Sequence, residues 1–421
     1  MTQDPAPRQA ACRRRTDCRL CGSADLVEVL KLTPTPPANA FVKAADLGKP
    51  QQTFPLDFFL CRACGHLQML DVVDPALLFE DYVYVSGTSP VFVKHFERYA
   101  ETVLARTALK PGSLVVDIGS NDGTLLRFFQ KAGMKVLGVD PAKAIAAQAA
   151  ASGIETLPVF FTERLAGELR VQRGPAGAVT ANNVFAHADD LKGMVAGVRT
   201  LLADDGVFVF EVSYLLDVYT KTLFDTMYHE HLAYHSVKPL KDFFRNNGME
   251  LIAAERVDSH GGSLRGTAQL AGGPRRPDPS VEALIAEEAM AGLQTPERLR
   301  AFGAKIDGIK ASLQRLLKDL KSSGKSVSGF GAPAKATTLM YHFGLGPDLI
   351  DFIVDDSPLK QGLYSPGLHI PVTTSQAILD KKPDYLLILA WNFAEPIMAK
   401  NKAFSERGGR FIIPLPEVKV L

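Results

Sequence analysis

Leu114-Val115-Val116-Asp117-Ile118-Gly119-Ser120-Asn121-Asp122-Gly123 decides the fold of the centre of this 421-residue chain. An apolar strand carries an acid near its end, a tight glycine turn follows, and a helix begins at Thr124. The glycines stand as G-x-x-x-G, not as the G-x-G-x-x-G that receives a pyrophosphate. About 20 residues later comes a second short strand that ends at Asp140, where a carboxylate can accept hydrogen bonds from two ribose hydroxyls. A nucleoside cofactor without phosphate suits such a loop. The expected ligand is S-adenosylmethionine, with Asp117, Gly119, Asn121, Gly123 and Asp140 as its contacts and with Gly119 and Gly123 leaving room for its amino-acid and ribose parts. The competing reading is a glycine turn that only packs a strand on a helix.

Outward from this loop, strand-like and helical runs alternate. Residues 113–118, 135–139, 177–181 and 206–212 read as strands, and 125–132, 142–152 and 191–202 as the helices between them, after helices at 75–82 and 91–108. Such alternation predicts a doubly wound, mostly parallel sheet. Asn182 and Asn183 close the third of these strands, which makes Asn183 a cofactor candidate, and His187 lies on the same mouth. Residues 276–322 read as a helical connector. Beyond Lys325 the strand-like runs 326–330, 348–354, 384–389 and 410–413 predict a second, smaller α/β domain. The expected α/β chain therefore has three parts. These are a zinc-binding module over 1–75 with a disordered N-terminal tail, a central Rossmann-like domain of the class I methyltransferase kind over 76–275, and the connector with a Rossmann-like C-terminal domain over 276–421.

The five cysteines all fall in the first 64 residues. Cys18-Arg19-Leu20-Cys21 and Cys61-Arg62-Ala63-Cys64 are C-x-x-C knuckles, each followed by a glycine, Gly22 or Gly65. Four thiolates suit a tetrahedral, closed, structural zinc site. A redox dithiol is the rival, His66 is a conceivable substitute ligand, and Cys12 is a spare. No apolar run approaches the ~20 residues of a membrane span, and residues 1–17 hold no apolar stretch of the signal-peptide kind. The expectation is a cytoplasmic protein with reduced thiols and no membrane partner. The formal charge of +1 gives no reason to expect a polyanionic partner. The only dense basic run, Arg13-Arg14-Arg15, reads as part of a solvated tail. A zinc-knuckle nucleic-acid-binding protein with a degenerate cofactor fold would need basic and aromatic stripes that this chain lacks.

Residues 224–235, FDTMYHEHLAYH, pack three histidines, a glutamate and two tyrosines into their last eight positions. Ala233 stands where H-E-x-x-H would need histidine, so a metalloprotease helix is excluded. Three readings remain: a metal shared by His231 and His235 across a helix face, a stabilising cluster, or general acid–base chemistry. In the third block, Gly329-Phe330-Gly331-Ala332-Pro333-Ala334-Lys335 follows a strand and opens a helix. It predicts either an anion-binding turn to which Lys335 adds charge, a dinucleotide site, or a structural turn. Asp355 and Asp356, ending the next strand, are placed to touch a ribose or to cap the strand.

These blocks together resemble the sugar C-methyltransferases of deoxysugar pathways, which methylate C-3 of nucleotide-linked 4-keto sugars. The resemblance rests on CRLCG, CRACG, VDIGSNDGTLL, FEVSYLLD, FDTMYHEH, SHGGSLR, GFGAPAKATTLM, VDDSPLKQGLYSPGLHIPV and LAWNF, which run over nearly the whole chain. It implies a transferase that uses S-adenosylmethionine on a nucleotide-linked sugar, of dTDP or a similar nucleotide. His231 would be the base that forms an enolate, Glu230 would orient it, and Tyr228 and His187 would be its catalytic partners. A tyrosine just before the cofactor domain matches Tyr82 or Tyr84, one catalytic and the other a substrate contact. His260 and Gly262 of SHGGSLR, Lys335 and Asp355 are the further substrate candidates. Position 229 is a histidine where antibiotic-pathway members carry an acid. A methyltransferase acting on another small carbonyl compound or sugar is the second enzymatic reading.

Overall fold

Strands that are apolar on both faces have to be covered on both sides, and here helices cover them. The structure is a computed structural model, and it describes residues 11–79, 86–88 and 90–421. The chain forms two compact units. The first comprises Met1–Val27, Leu60–Leu216 and Leu232–Thr295, the second Glu28–Phe59, Asp217–His231 and Pro296–Leu421. The order of elements along the sequence gives no sign of this interleaving. Among the described residues no helix is long and apolar enough to cross a membrane.

The first unit is built on a seven-stranded sheet. Its spatial order is Met249–Val257, Ser263–Leu270, Leu202–Ser213, Ala176–Asn182, Leu114–Ile118, Lys135–Val139 and Thr156–Leu157. Leu114–Ile118 pairs in parallel with Lys135–Val139 on one side and Ala176–Asn182 on the other, so the strand order reverses at this strand. A crevice opens beyond the carboxyl ends of the strands at such a reversal, and the glycine turn sits there. All five residues of Leu114–Ile118 are buried. On one face the helix Pro90–Thr107 presents Phe96, Tyr99, Ala100 and Val103, and the helix Thr124–Lys131 presents Leu125, Leu126 and Phe129. Both stripes have helical periodicity and close one core over Val115, Ala178, Val207 and Val209. Burying a side chain such as Phe129 contributes about 1.5–3 kcal/mol.

Ser263–Leu270 runs antiparallel to both of its neighbours, forming a hairpin with Met249–Val257. This hairpin was not expected from the sequence, because charged residues interrupt its apolar positions. Its turn carries SHGGSLR, with Gly262 at φ 152°. The stretch expected as a helical connector forms two helices, one in each unit. Ser280–Ala291 belongs to the first unit, where buried Glu288 accepts bonds from the Tyr214 hydroxyl (3.0 Å) and from the Val237 (2.6 Å) and Lys238 (3.2 Å) amides that open the helix Val237–Asn246. Pro296–Ser322 belongs to the second unit and buries Leu299, Phe302, Ile306, Ile309, Leu313 and Leu317.

The tail was also misread. Cys12–Arg14 is a strand paired antiparallel with Asp71–Val73, and its arginines find carboxylates in Asp71 and Asp189. The solvated-tail reading of Arg13-Arg14-Arg15 is therefore wrong, because a charge run solvates a tail only where no acid faces it. The expected tail's residues 1–10 lie outside the described residues. The strand Leu26–Thr35 runs through Pro34, at a sheet edge where a missing N–H is tolerated.

The second unit has a six-stranded sheet in the order Val372–Thr373, Ile353–Val354, Val327–Phe330, Tyr385–Ile388, Arg410–Ile413 and Lys419–Val420. The last strand is antiparallel and the others parallel. Its order reverses at Val327–Phe330, the strand that leads into the GFGAPAK turn. Phe330, Phe352, Val354, Leu386, Ile388 and Phe411 form its core. The strand expected over 348–354 is only Ile353–Val354.

Candidate active site and zinc centre

The two knuckles turn alike. The Gly22 amide bonds the Cys18 carbonyl and the Gly65 amide the Cys61 carbonyl, each at 2.8 Å, with the glycines at φ 75° and 81°. All four sulfurs lie within 4.8 Å of one another, with Cys18–Cys64 and Cys21–Cys61 at 3.6 Å. A tetrahedron of thiolates about 2.3 Å from zinc has edges of about 3.8 Å, so the sulfurs stand where a zinc ion needs them. His66 is not part of this cluster. Its fully buried ring stacks on His235, centroids 5.3 Å apart.

In the cofactor loop Gly119 and Gly123 have φ of 69° and 74°, and Asn121 a φ of 51°. A Cβ on Gly119 would stand 2.2 Å from Val184, and one on Gly123 2.8 Å from Ile154. The turn thus requires both glycines before any ligand enters. Asp140 accepts the Asn121 amide (2.8 Å) and the Ala142 amide (2.9 Å) on separate oxygens, and a carboxylate oxygen keeps a second lone pair for a hydroxyl. Ser86 and Gly87, unnoticed in the sequence, donate their amides to the side chains of Asn121 (2.9 Å) and Asp122 (3.1 Å). Tyr82 and Tyr84 lie outside the described residues. Asn183, at φ 55°, donates its amide to the Glu211 carbonyl (2.8 Å) at the start of the loop that carries His187, whose ring stacks on Phe79 at 5.5 Å.

Glu211, also unnoticed, gathers His95 Nε2 (2.8 Å), Arg265 Nε (2.7 Å) and the Ser259 hydroxyl (3.3 Å). Burial would raise its pKa, but His95 and Arg265 outweigh that and hold it low. This network fixes the SHGGSLR turn to the sheet. Of its substrate candidates, Gly262 bonds the Ser259 carbonyl at 2.8 Å and His260 lies in the turn Ser259–Gly261.

Tyr228, Glu230 and His231 belong to the second unit. Residues 224–235 are not one helix. A 3₁₀ turn, Phe224–Thr226, leads through bends to the short strand Ala233–Tyr234. His231 and His235 therefore share no helix face, and the shared-metal reading fails. His231 and Tyr228 are half-buried, with rings 4.3 Å apart, and His231 Nδ1 lies 2.8 Å from the Thr226 carbonyl. A carbonyl only accepts, so Nδ1 carries a proton, and in the neutral ring the lone pair falls on Nε2. Glu230 is buried and accepts the Asn39 amide at 2.9 Å. His229 is structural. It donates to the Phe54 carbonyl at 3.2 Å, and burial pushes its pKa down to about 4.

Lys335, the cation of this turn, lies against Asp225 and Trp391. Its buried Nζ lies 3.4 Å from Asp225 and 4.4 Å over the Trp391 ring, and Trp391 Nε1 donates to the same Asp225 oxygen at 2.6 Å. Asp355 repeats the geometry of Asp140. It accepts the Ala332 amide of the turn (2.6 Å) and the amide two residues on, Ser357 (2.8 Å).

Residues 92–254 match a methyltransferase domain, residues 18–79 a zinc binding domain, and residues 258–416 the C-methyltransferase C-terminal domain. C-methyltransferase NovU of Streptomyces niveus is 36% identical over 405 residues, 96% of each chain. The chain belongs to the C-methyltransferase family. Among solved structures, magnesium protoporphyrin IX methyltransferase of Synechocystis PCC 6803 is 17% identical, covering 42% of this chain and 80% of its own, with a TM-score of 0.32. An S-adenosylmethionine-dependent methyltransferase of Clostridium acetobutylicum is 13% identical, covering 43% and 92%, with a TM-score of 0.35.

This C-methyltransferase uses S-adenosylmethionine and binds zinc. Purified, chelator-washed enzyme should carry about one zinc per chain, set by its single four-thiolate cluster. Cys61→Ser should lower both metal content and thermal midpoint. Elemental analysis showing full loading and unchanged melting in Cys61→Ser would rule out that ligand set.

Asp117 gives a pH-dependent prediction. Burial pushes its carboxyl up to about 7, against a 2.6 Å bond from the Thr180 hydroxyl and with Asp140 adding to the rise. The folded chain thus keeps a proton that the unfolded chain loses near 3.8, so this stability is full below 3.8 and is lost as pH rises through about 7. Asp117→Asn removes the loss. Its advantage in thermal unfolding of the cofactor-free enzyme should be absent at low pH and grow to about 2–4 kcal/mol above neutrality. A pH-independent difference would contradict the buried-acid account.

Proposed function

We propose that this enzyme transfers a methyl group to C-3 of a nucleotide-linked 4-keto sugar. The observation that carries the reading is the tautomer of His231, a half-buried imidazole whose Nδ1 is held on a backbone carbonyl so that Nε2 is the basic nitrogen. A ketone makes the neighbouring C–H acidic only if its enolate is stabilised. His231 Nε2 takes the C-3 proton, and the C–H electron pair moves into the C-3–C-4 bond while the carbonyl pair settles on oxygen. Tyr228 donates a hydrogen bond to that oxygen, and His187 takes the catalytic-partner role that the family resemblance implies. S-adenosylmethionine, when bound, supplies an electrophilic methyl whose bond to sulfur breaks as the C-3 carbon bonds to it. The imidazolium then returns its proton to water. Glu230, held by Asn39, is the group that the family resemblance assigns to orienting the base.

The nucleotide end belongs at the GFGAPAK turn. A shallow cleft there is lined by Phe41, Pro333, Thr337, Met340, Ser365 and Leu368, side chains against which a base can lie. The amides opening the helix Ala334–Phe343 suit a phosphate, and Asp355 a sugar hydroxyl. Asp140 plays the matching part toward the cofactor ribose. Asp140→Ala should weaken S-adenosylmethionine affinity by roughly 10-fold or more in calorimetric titration. The whole reading is tested by incubating nucleotide sugars with S-adenosylmethionine and looking by mass spectrometry for a gain of one CH2 on carbon. Methylation of simple keto compounds but of no nucleotide sugar would defeat it.

A further inference from the structure

Three arginines close on one carboxylate in the first unit. Arg13 binds Asp189 Oδ2, Arg15 binds Oδ1 (3.1 Å) and the Asp189 carbonyl (3.2 Å), and Arg19 Nε binds Oδ1 (3.0 Å). Arg19 stands between the zinc ligands Cys18 and Cys21. Its side chain is fully buried, and it also donates to Gln68 Oε1 (3.0 Å) and the Met69 carbonyl. A guanidinium is buried at tolerable cost only where it is paired, so Arg19 and Asp189 hold each other in place. Asp189 lies two residues beyond His187 in the loop 183–190. That loop is tied at its start by the Asn183–Glu211 bond, at Ala186 by the Leu232 amide (3.0 Å), and at its end by Asp190, which caps the helix Leu191–Leu201. Between the last two ties, the arginines grip the stretch that follows His187.

We propose that the zinc knuckle is a positioning device for catalysis. The metal fixes Arg19, Arg19 with Arg13 and Arg15 fixes Asp189, and Asp189 sets the place of His187. Zinc occupancy is thereby coupled to the geometry of a loop at the cofactor mouth as well as to folding of the N-terminal module. Arg19, Arg15 and Asp189 are positioning residues, acting through the loop. The catalytic part of the proposal rests on the catalytic role given to His187 above, whereas the structural part does not.

The test uses the full chain with Arg19→Gln, Asp189→Asn and the double variant, each checked for zinc by elemental analysis. Arg19→Gln keeps all four thiolates and should keep its metal. Hydrogen exchange of peptides over 183–190 should be at least about 10-fold faster than in the wild type, with peptides of the second unit unchanged. Turnover should fall about 10- to 100-fold, the cost of a misplaced catalytic group, with S-adenosylmethionine affinity within about twofold. The double variant should be no worse than the worse single one, as expected for residues acting through one contact. Stripping zinc should loosen the loop in the wild type and loosen it no further in Asp189→Asn. If loop exchange is unchanged in zinc-loaded Arg19→Gln, or if the two substitutions add, the clamp does not exist. Should no nucleotide sugar prove to be a substrate, the exchange and zinc measurements still decide the clamp, and only the turnover arm is lost.

Discussion

His231→Ala is expected to reduce turnover by about 100- to 10,000-fold, the usual contribution of a general base, while leaving S-adenosylmethionine affinity intact. The proton step can be watched without methyl transfer. With S-adenosylhomocysteine in place of the donor, the wild type should exchange the substrate's C-3 hydrogen for solvent deuterium, and His231→Ala should not. Glu230→Gln should retain part of the exchange, because an amide still accepts the Asn39 bond but no longer carries charge. Tyr228→Phe should slow exchange without abolishing it, since it removes a donor to the enolate oxygen and not the base. Exchange that survives His231→Ala and vanishes in His187→Ala would move the base to the other histidine.

The second large effect is on stability. Asp225 and Lys335 are each almost completely buried, and they meet beside Trp391. Burial raises the Asp225 carboxyl and lowers the Lys335 ammonium, and each charge pulls the other back toward ionisation. Removing one partner strands the other, so Asp225→Ala should destabilise the second unit by about 3–5 kcal/mol. Replacing both, as Asp225→Asn with Lys335→Met, should recover most of that loss. The chain has a single tryptophan, so intrinsic fluorescence during denaturant unfolding reports on this cluster directly. Equal losses in the single and double variants would show that the ion pair is not what holds the turn. The same cluster bears on chemistry, because Asp225 precedes Thr226, the residue whose carbonyl holds His231.

Local patterns in the sequence made much of this legible. The knuckles were readable because four thiolates and two glycines at fixed spacing have few other uses, and the sulfurs do meet. The glycine turn at the end of an apolar strand and the acid one strand later were readable for the same reason, and Asp140 does reach back to the loop. The glycines are needed for more than a ligand, since Val184 and Ile154 crowd them regardless of one. The hairpin Met249–Val257 with Ser263–Leu270 was missed because charged residues such as Glu255 and Arg265 stand in its strands. Those charges are satisfied by each other and by Glu211, which is distant in sequence.

By itself the sequence determined the α/β class, the zinc module, the glycine turn and the motifs of a C-methyltransferase, because each is written in residues close together in the chain. Only the tertiary structure decided the partners of the charged and polar groups. It paired Lys335 with Asp225, Arg13 and Arg15 with Asp189, and Asn39 with Glu230. It also set the tautomer of His231 by placing the Thr226 carbonyl against Nδ1. Backbone form follows from local sterics and periodicity, which a sequence carries residue by residue. A charge or an imidazole takes its role from whatever folding brings within about 3 Å of it, and no spacing along the chain records that distance.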